Sequence, residues 1–289
     1  MGLTALALLA FTGDGCADHP EFADSVWLGL RFLADQRLGD GSFTGARNLR
    51  EHALATMALC ACGAALGDSR MEQWGRESAE RLLHMRQDGW GEHAGVVPNL
   101  IDTCYALMAI DAAKEAGLKH PYNELDDVRV FVLSLRRADG SISWSHARPS
   151  ADRGPMLSAS WVIAATLSGA AIRGSSVLEA VGARVTHRDT LPVWRAGTRD
   201  FESWWFGSRA LRLLNPAARK AWRTALADAL IPNQRGWTTA DRDAGHTSTD
   251  QLAEMGSWDP GDNPGGRTAA TCFAALSLQS LGETRVAGG

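Results

Sequence analysis

The sequence repeats one way of ending a helix, and this repeat limits the fold more than any other feature. "LRFLADQRLGDGSF" (30–43), "AERLLHMRQDGW" (79–90) and "VFVLSLRRADGSISW" (130–144) each run from an amphipathic stretch through Gln or Arg and Asp-Gly to an aromatic residue. A fourth stretch, "LADALIPNQRGW" (226–237), keeps the Gln and the Gly-Trp without the Asp. The Asp-Gly pairs begin at 40, 88 and 139, a spacing of roughly fifty residues that marks a repeat architecture. Glycine supplies the left-handed conformation that stops a helix, and the aromatic residue folds back over the end.

Between these units lie segments that are apolar nearly all round and rich in small residues: 2–11, 52–66, 99–113, 156–171, 202–214 and 267–281. A helix without a polar face has to be enclosed by other helices. Amphipathic segments at 20–37, 71–87, 122–137, 175–187 and 216–232 alternate with them. The expected fold is therefore all-α: a single α/α toroid over 1–289, with about six inner helices, five or six outer ones and a central cavity. An open solenoid would need polar caps at its ends. "GARVTH" (182–187) is the one strand candidate, in the fourth outer segment, which lacks the turn signature. The Gly-, Asp-, Thr- and Pro-rich stretch 238–266 is expected to be a long loop insertion before the last inner helix.

The amino-terminal "MGLTALALLAF" has no Lys or Arg before Arg31 and no small-residue cleavage site, so it does not fit a signal peptide. It matches the inner-helix pattern instead. The outer helix that would precede it is absent from the sequence, which leaves two expectations: a helix lying upstream of Met1, or an apolar Met1–Phe11 surface that takes a protein partner or a second copy. The five cysteines lack a framework spacing, so reduced thiols, acting as small buried hydrophobes, and a cytoplasmic location are expected. The 29 Lys and Arg are scattered among 33 acids, which argues against a nucleic-acid partner. No apolar run reaches the about 20 residues of a transmembrane helix.

The helix–Gln–Gly–aromatic unit followed by a small-residue helix resembles the prenyltransferase and squalene-oxidase repeat superfamily, which holds terpenoid cyclases and protein prenyltransferase β-subunits. "VPNLIDTCYALMAIDAAKEAGL", "HALATMAL" and "GSWDPGDNPGGRTAATCFAALSL" are most similar to uncharacterised bacterial repeat proteins of that group. The resemblance implies a toroid that binds an apolar or extended ligand, such as an isoprenoid or a peptide, in its central cavity. His52, Asp102, Tyr105, Trp161, Trp204 and Trp205 are the residues expected to line it.

The enzymatic alternatives meet this sequence only in part. The cyclase acid motif Asp-x-Asp-Asp has its nearest match in Glu124-Leu125-Asp126-Asp127, where acids suit a helix start. The prenyltransferase zinc site begins with Asp-x-Cys, and Asp102-Thr103-Cys104 resembles that half. The later His is missing; Ser158, Ser160 and Cys272 stand in the comparable places, and His52, Asp200 or Glu202 would have to supply the third ligand. Cofactor-free binding is the expectation, with zinc at Asp102 and Cys104 as the alternative. Asp200 and Glu202 beside Trp204 and Trp205 also suggest a carbohydrate-active toroid with a paired-carboxylate cleft.

Overall fold

The computed structural model describes residues 1–13, 15–119, 125–146, 154–195, 199–214, 216–236, 255–261 and 265–282, with backbone alone at 217, 281 and 282. All regular structure among them is helical. The six apolar segments form α1 (Gly2–Thr12), α3 (Leu49–Leu66), α5 (Leu100–Glu115), α7 (Gly154–Leu167), α9 (Phe201–Arg212) and α11 (Gly266–Gly282). The amphipathic segments form α2 (Ala23–Gln36), α4 (Ser69–His84), α6 (Asp126–Ser134), α8 (Ser176–Val185) and α10 (Pro216–Leu230).

Packing follows the two patterns. In α3 every residue from His52 to Cys60 is buried, whereas α4 buries Met71, Gly75, Ser78, Ala79 and Leu82 at helical spacing and leaves its other residues half-buried or exposed. Contacts between inner helices run in a cycle: α1 packs on α3, α3 on α5, α5 on α7, α7 on α9, α9 on α11, and α11 back on α1. The outer helices α4, α8 and α10 each bridge two successive inner ones, while α2 lies on α1 and α6 on α7. This cyclic order is compatible with a two-layer toroid. Outer and inner helices approach closely through small residues: a Cβ on Gly207 of α9 would lie 2.3 Å from the Trp222 ring of α10.

The turn signature is a defined structure. Leu38 N–H donates to Ser42 O at 2.8 Å and Arg137 N–H to Ser141 O at 2.9 Å, with Asp40 and Asp139 accepting from the backbone and hydroxyl of those serines. Gly41 and Gly140 take φ of +81° and +77°, as the left-handed position requires. Arg37 then pairs with Phe43, and Arg136 with Ile142.

The last unit closes by the same bonds from a different sequence position. Arg235 N–H donates to Ser257 O at 2.8 Å, Gly256 has φ of +78°, and Gln234 pairs with Trp258. The residue that completes this turn is thus Trp258, in Gly256-Ser257-Trp258, within the stretch 238–266. Trp237 and residues 238–254 lie outside the described residues.

Two tryptophans latch the layers identically. Trp90 Nε1–H donates to Leu82 O of α4 and Trp258 Nε1–H to Leu230 O of α10, both at 2.8 Å. Their backbone N–H groups donate to Thr103 Oγ1 of α5 and Thr271 Oγ1 of α11, at 3.0 and 3.3 Å.

"GARVTH" is not a strand: Gly182–Val185 belong to α8. Ser175 caps that helix, and Leu178, Val181 and Val185 share its buried face. No helix among the described residues is long and apolar enough to cross a membrane.

Because Trp90 and Trp258 are buried in equivalent latches, Trp90→Ala and Trp258→Ala should each lower the unfolding free energy by about 3–5 kcal/mol. Trp27→Ala, at a position 47% exposed, should shift it by under about 0.5 kcal/mol. Urea unfolding of the three variants checks this; a Trp258→Ala cost no larger than that of Trp27→Ala would contradict the turn assignment.

Candidate functional site

The amino-terminal ends of the inner helices carry polar groups into an otherwise apolar ring. Asn48 caps α3 by accepting from Glu51 N–H, and Asn99 caps α5 by accepting from Asp102 N–H, each at 3.0 Å. An acid in the first turn complements the helix end. Glu51 is paired locally with Arg47 at 2.6 Å. Asp102 is buried, with 1% of its surface exposed, and is held on both oxygens: Asn99 Nδ2 donates to Oδ2 and Arg50 Nε to Oδ1, both at 2.5 Å. Burial works against the Arg50 charge, but Asp102, with smaller help from Glu202 and Tyr105, holds the guanidinium above its usual range.

Next to this pair, Tyr105 of α5 donates its hydroxyl to Glu202 Oε1 of α9 at 2.8 Å. Since α7 lies between α5 and α9 in the cycle of contacts, this bond crosses the ring interior. The Tyr105 ring packs edge-on against Phe206 at 5.2 Å and lies 6.0 Å from Trp205, which in turn lies 5.5 Å from Phe273 of α11. Arg50 stacks over Tyr105 at 6.0 Å and Arg209 over Trp205 at 5.6 Å. Burial, together with the Glu202 charge, pushes the Tyr105 phenol well above its ordinary range, so it is a neutral donor. The result is an aromatic plug topped by Arg50 and Glu202, which are partly exposed.

The remaining residues singled out from sequence take other places. His52 and Trp161 lie between the layers and not at the ring centre. His52 Nε2 meets Ser78 O of α4 at 3.1 Å with Phe43 edge-on at 5.1 Å, and Trp161 Nε1–H donates to Val132 O of α6 at 2.8 Å. Trp204 is buried against Phe201 at 5.1 Å. Asp200 is the cap of α9, accepting from Ser203 N–H at 3.0 Å, and so does not face Glu202 as a catalytic partner. Asp126 and Asp127 open α6, where Asp126 pairs with Arg129; Glu124 lies outside the described residues.

Cys104 is fully buried and its thiol is pushed far up by desolvation, the opposite of a ready thiolate ligand. It is two residues from Asp102, on a different face of the helix. Among the described residues no group of three or more His, Cys, Asp or Glu is placed to hold a metal ion. None of the five cysteines is in a disulfide, and four are buried.

Arg50 is the residue of this cluster that sequence reasoning passes over. Its signal is a cation in the first turn of a segment that is otherwise small and apolar.

No family model, no curated protein and no solved structure matches this chain.

The His52 site carries a pH signature. Burial lowers its pKa below the usual 6.5, so on acidification the unfolded chain takes up the proton before the folded one does. Its contribution to stability is complete above 6.5 and is lost as the pH falls from there toward the folded value. Unfolding free energy measured between about pH 7.5 and pH 5 should therefore drop more for the native chain than for His52→Gln. Equal drops would contradict the buried, neutral imidazole.

Proposed function

We propose that this chain is a binding protein of the α/α-toroid type, and that it takes an extended ligand such as a peptide segment across the amino-terminal mouth of its inner helices. The observation that carries this reading is the Arg50–Asp102 and Tyr105–Glu202 arrangement. A partly exposed guanidinium and a partly exposed carboxylate meet the same Tyr105 side chain, Arg50 over its ring and Glu202 at its hydroxyl, beside the other aromatic rings. A donor, an acceptor and an aromatic platform are what a peptide backbone and its side chains use. Trp205 adds a buried indole N–H that has no acceptor among the described residues, and a ligand carbonyl reaching the rings would satisfy it.

The same contacts favour a rim ligand over an isoprenoid held inside. The Tyr105, Trp205, Phe206 and Phe273 rings already touch across the interior. They also favour binding over catalysis. Asp102 is committed to Arg50 and Asn99, Asp200 to capping, and Glu202 to the Tyr105 hydroxyl. A cyclase would need a protonated, unengaged acid in an open apolar chamber, and a zinc prenyltransferase would need a third ligand beside Asp102 and Cys104. Five cysteines without a disulfide suit a reducing, cytoplasmic compartment.

Selection of random displayed peptides on the immobilised full chain tests the proposal. Enriched peptides should bind Glu202→Gln and Arg50→Gln at least about tenfold more weakly. Equal binding to these variants, or turnover of farnesyl diphosphate or squalene by the purified chain, would overturn it.

A further inference from the structure

A second polar feature lies between the layers, and comparing the repeat units exposes it. Each notch is bounded by the last residue of the turn, the start of the following inner helix and the end of the next outer helix. In the first unit these places hold Phe43, His52 and Arg81, and the notch has a volume of about 190 Å³. The Phe43 ring stands on the His52 imidazole there at 5.1 Å. In the third unit the same places hold Ile142, Ser158 and Arg184, and the cleft widens to about 810 Å³. The correspondence is supported by contacts: Arg81 pairs with Asp40 at 3.8 Å, and Arg184 Nη1 donates to Asp139 O at 3.4 Å. Two rings have given way to a branched aliphatic and a hydroxymethyl group, and no side chain among the described residues fills the space they left.

The walls of this cleft are cationic and polar. Arg137, which stands where the first unit has Leu38, joins Arg184, and Arg137 Nε is fixed by Ser143 Oγ at 2.8 Å. His187 lies on the same wall. Asp139 is the one carboxylate among the described lining residues; its Oδ1 already accepts two bonds from Ser141, and it lies within the field of Arg184 and Arg137. Ser158, 3% exposed, lines the cleft and makes no hydrogen bond through its hydroxyl among the described residues. A few hundred cubic ångströms lined by a few convergent polar groups is the usual size and make-up of a small-molecule site.

We propose that the third-unit cleft binds a small organic oxyanion, a phosphate monoester or a carboxylate. Its anionic group lies between Arg137 and Arg184, and its body lies against Ile142 within reach of the Ser158 hydroxyl. Two guanidinium groups converging on one space match the planar, multidentate recognition of oxyanions. The site is separate from the mouth formed by Arg50 and Glu202 and does not depend on what binds there.

Titration calorimetry of the full chain at low salt, with glycerol 2-phosphate, succinate and glycerol as probes, tests the proposal and separates the two oxyanion sources. Saturable one-to-one binding of at least one oxyanion is expected, with none of glycerol. The exposed Arg184→Gln substitution should weaken it at least about tenfold. Ile142→Phe with Ser158→His, which copies the first unit, should abolish binding while Arg184→Gln leaves the thermal midpoint in place. If the refilled variant does not fold, Arg184→Gln decides alone. Absence of binding by both oxyanions, or binding unchanged in Arg184→Gln, overturns the proposal.

Discussion

A helix that is apolar on every side cannot be the last member of an open stack. This one constraint sets the architecture, because α3, α5 and α7 are buried nearly all round, and an unclosed array would expose its terminal inner helices to water. Contact between α11 and α1 meets it. Gln279 Nε2 donates to Ala10 O at 2.7 Å, joining positions 269 residues apart. Ala5, Leu6 and Leu8 of α1 are buried as deeply as residues of the central repeats. Residues near a chain end are ordinarily the first to fray, and here they are part of the core.

Closure leaves the layers to be joined, and tryptophan does this with both parts of its side chain. The indole body fills the space between an inner and an outer helix, while its N–H donates to a carbonyl near the outer-helix end. The centre of the ring is occupied in a comparable way, by Tyr105 reaching Glu202 across it. A cycle of helices filled at that level presents its chemistry at the rims. Both proposed sites therefore lie where inner helices begin, one over the ring and one between the layers.

The layering was legible in the amino-acid pattern because enclosure on all sides leaves a compositional mark: small and apolar residues with no polar stripe. Turn chemistry was legible for the same reason, since Asp, Gly and Ser each have a backbone role. It misled at the last unit, where Gly236-Trp237 lies directly after the outer helix. The bonds are made by Gly256-Ser257-Trp258, 24 residues beyond Gln234 at the aromatic position, compared with six in two other units. The matching triplets Gly41-Ser42-Phe43 and Gly140-Ser141-Ile142 were the available signal. Side-chain direction was not legible. A helix buried on every face gives no indication of which residues point inward, so His52 and Trp161, expected at the cavity, lie against outer-helix carbonyls. Nor does any local pattern announce pairs such as Arg50–Asp102 or Tyr105–Glu202, separated by 52 and 97 residues. The wide third cleft arises from what Ile142 and Ser158 lack, which only comparison with Phe43 and His52 in space reveals.

Native-state hydrogen exchange tests the closed cycle most directly. If α1 and α11 complete the ring, the amides of Leu6–Leu8 and Phe273–Leu276 should open with nearly the same free energy as those of Ala106–Ile110 in α5, through the global transition. Exchange of α1 and α11 at least about a hundredfold faster than α5, by local opening, would contradict it.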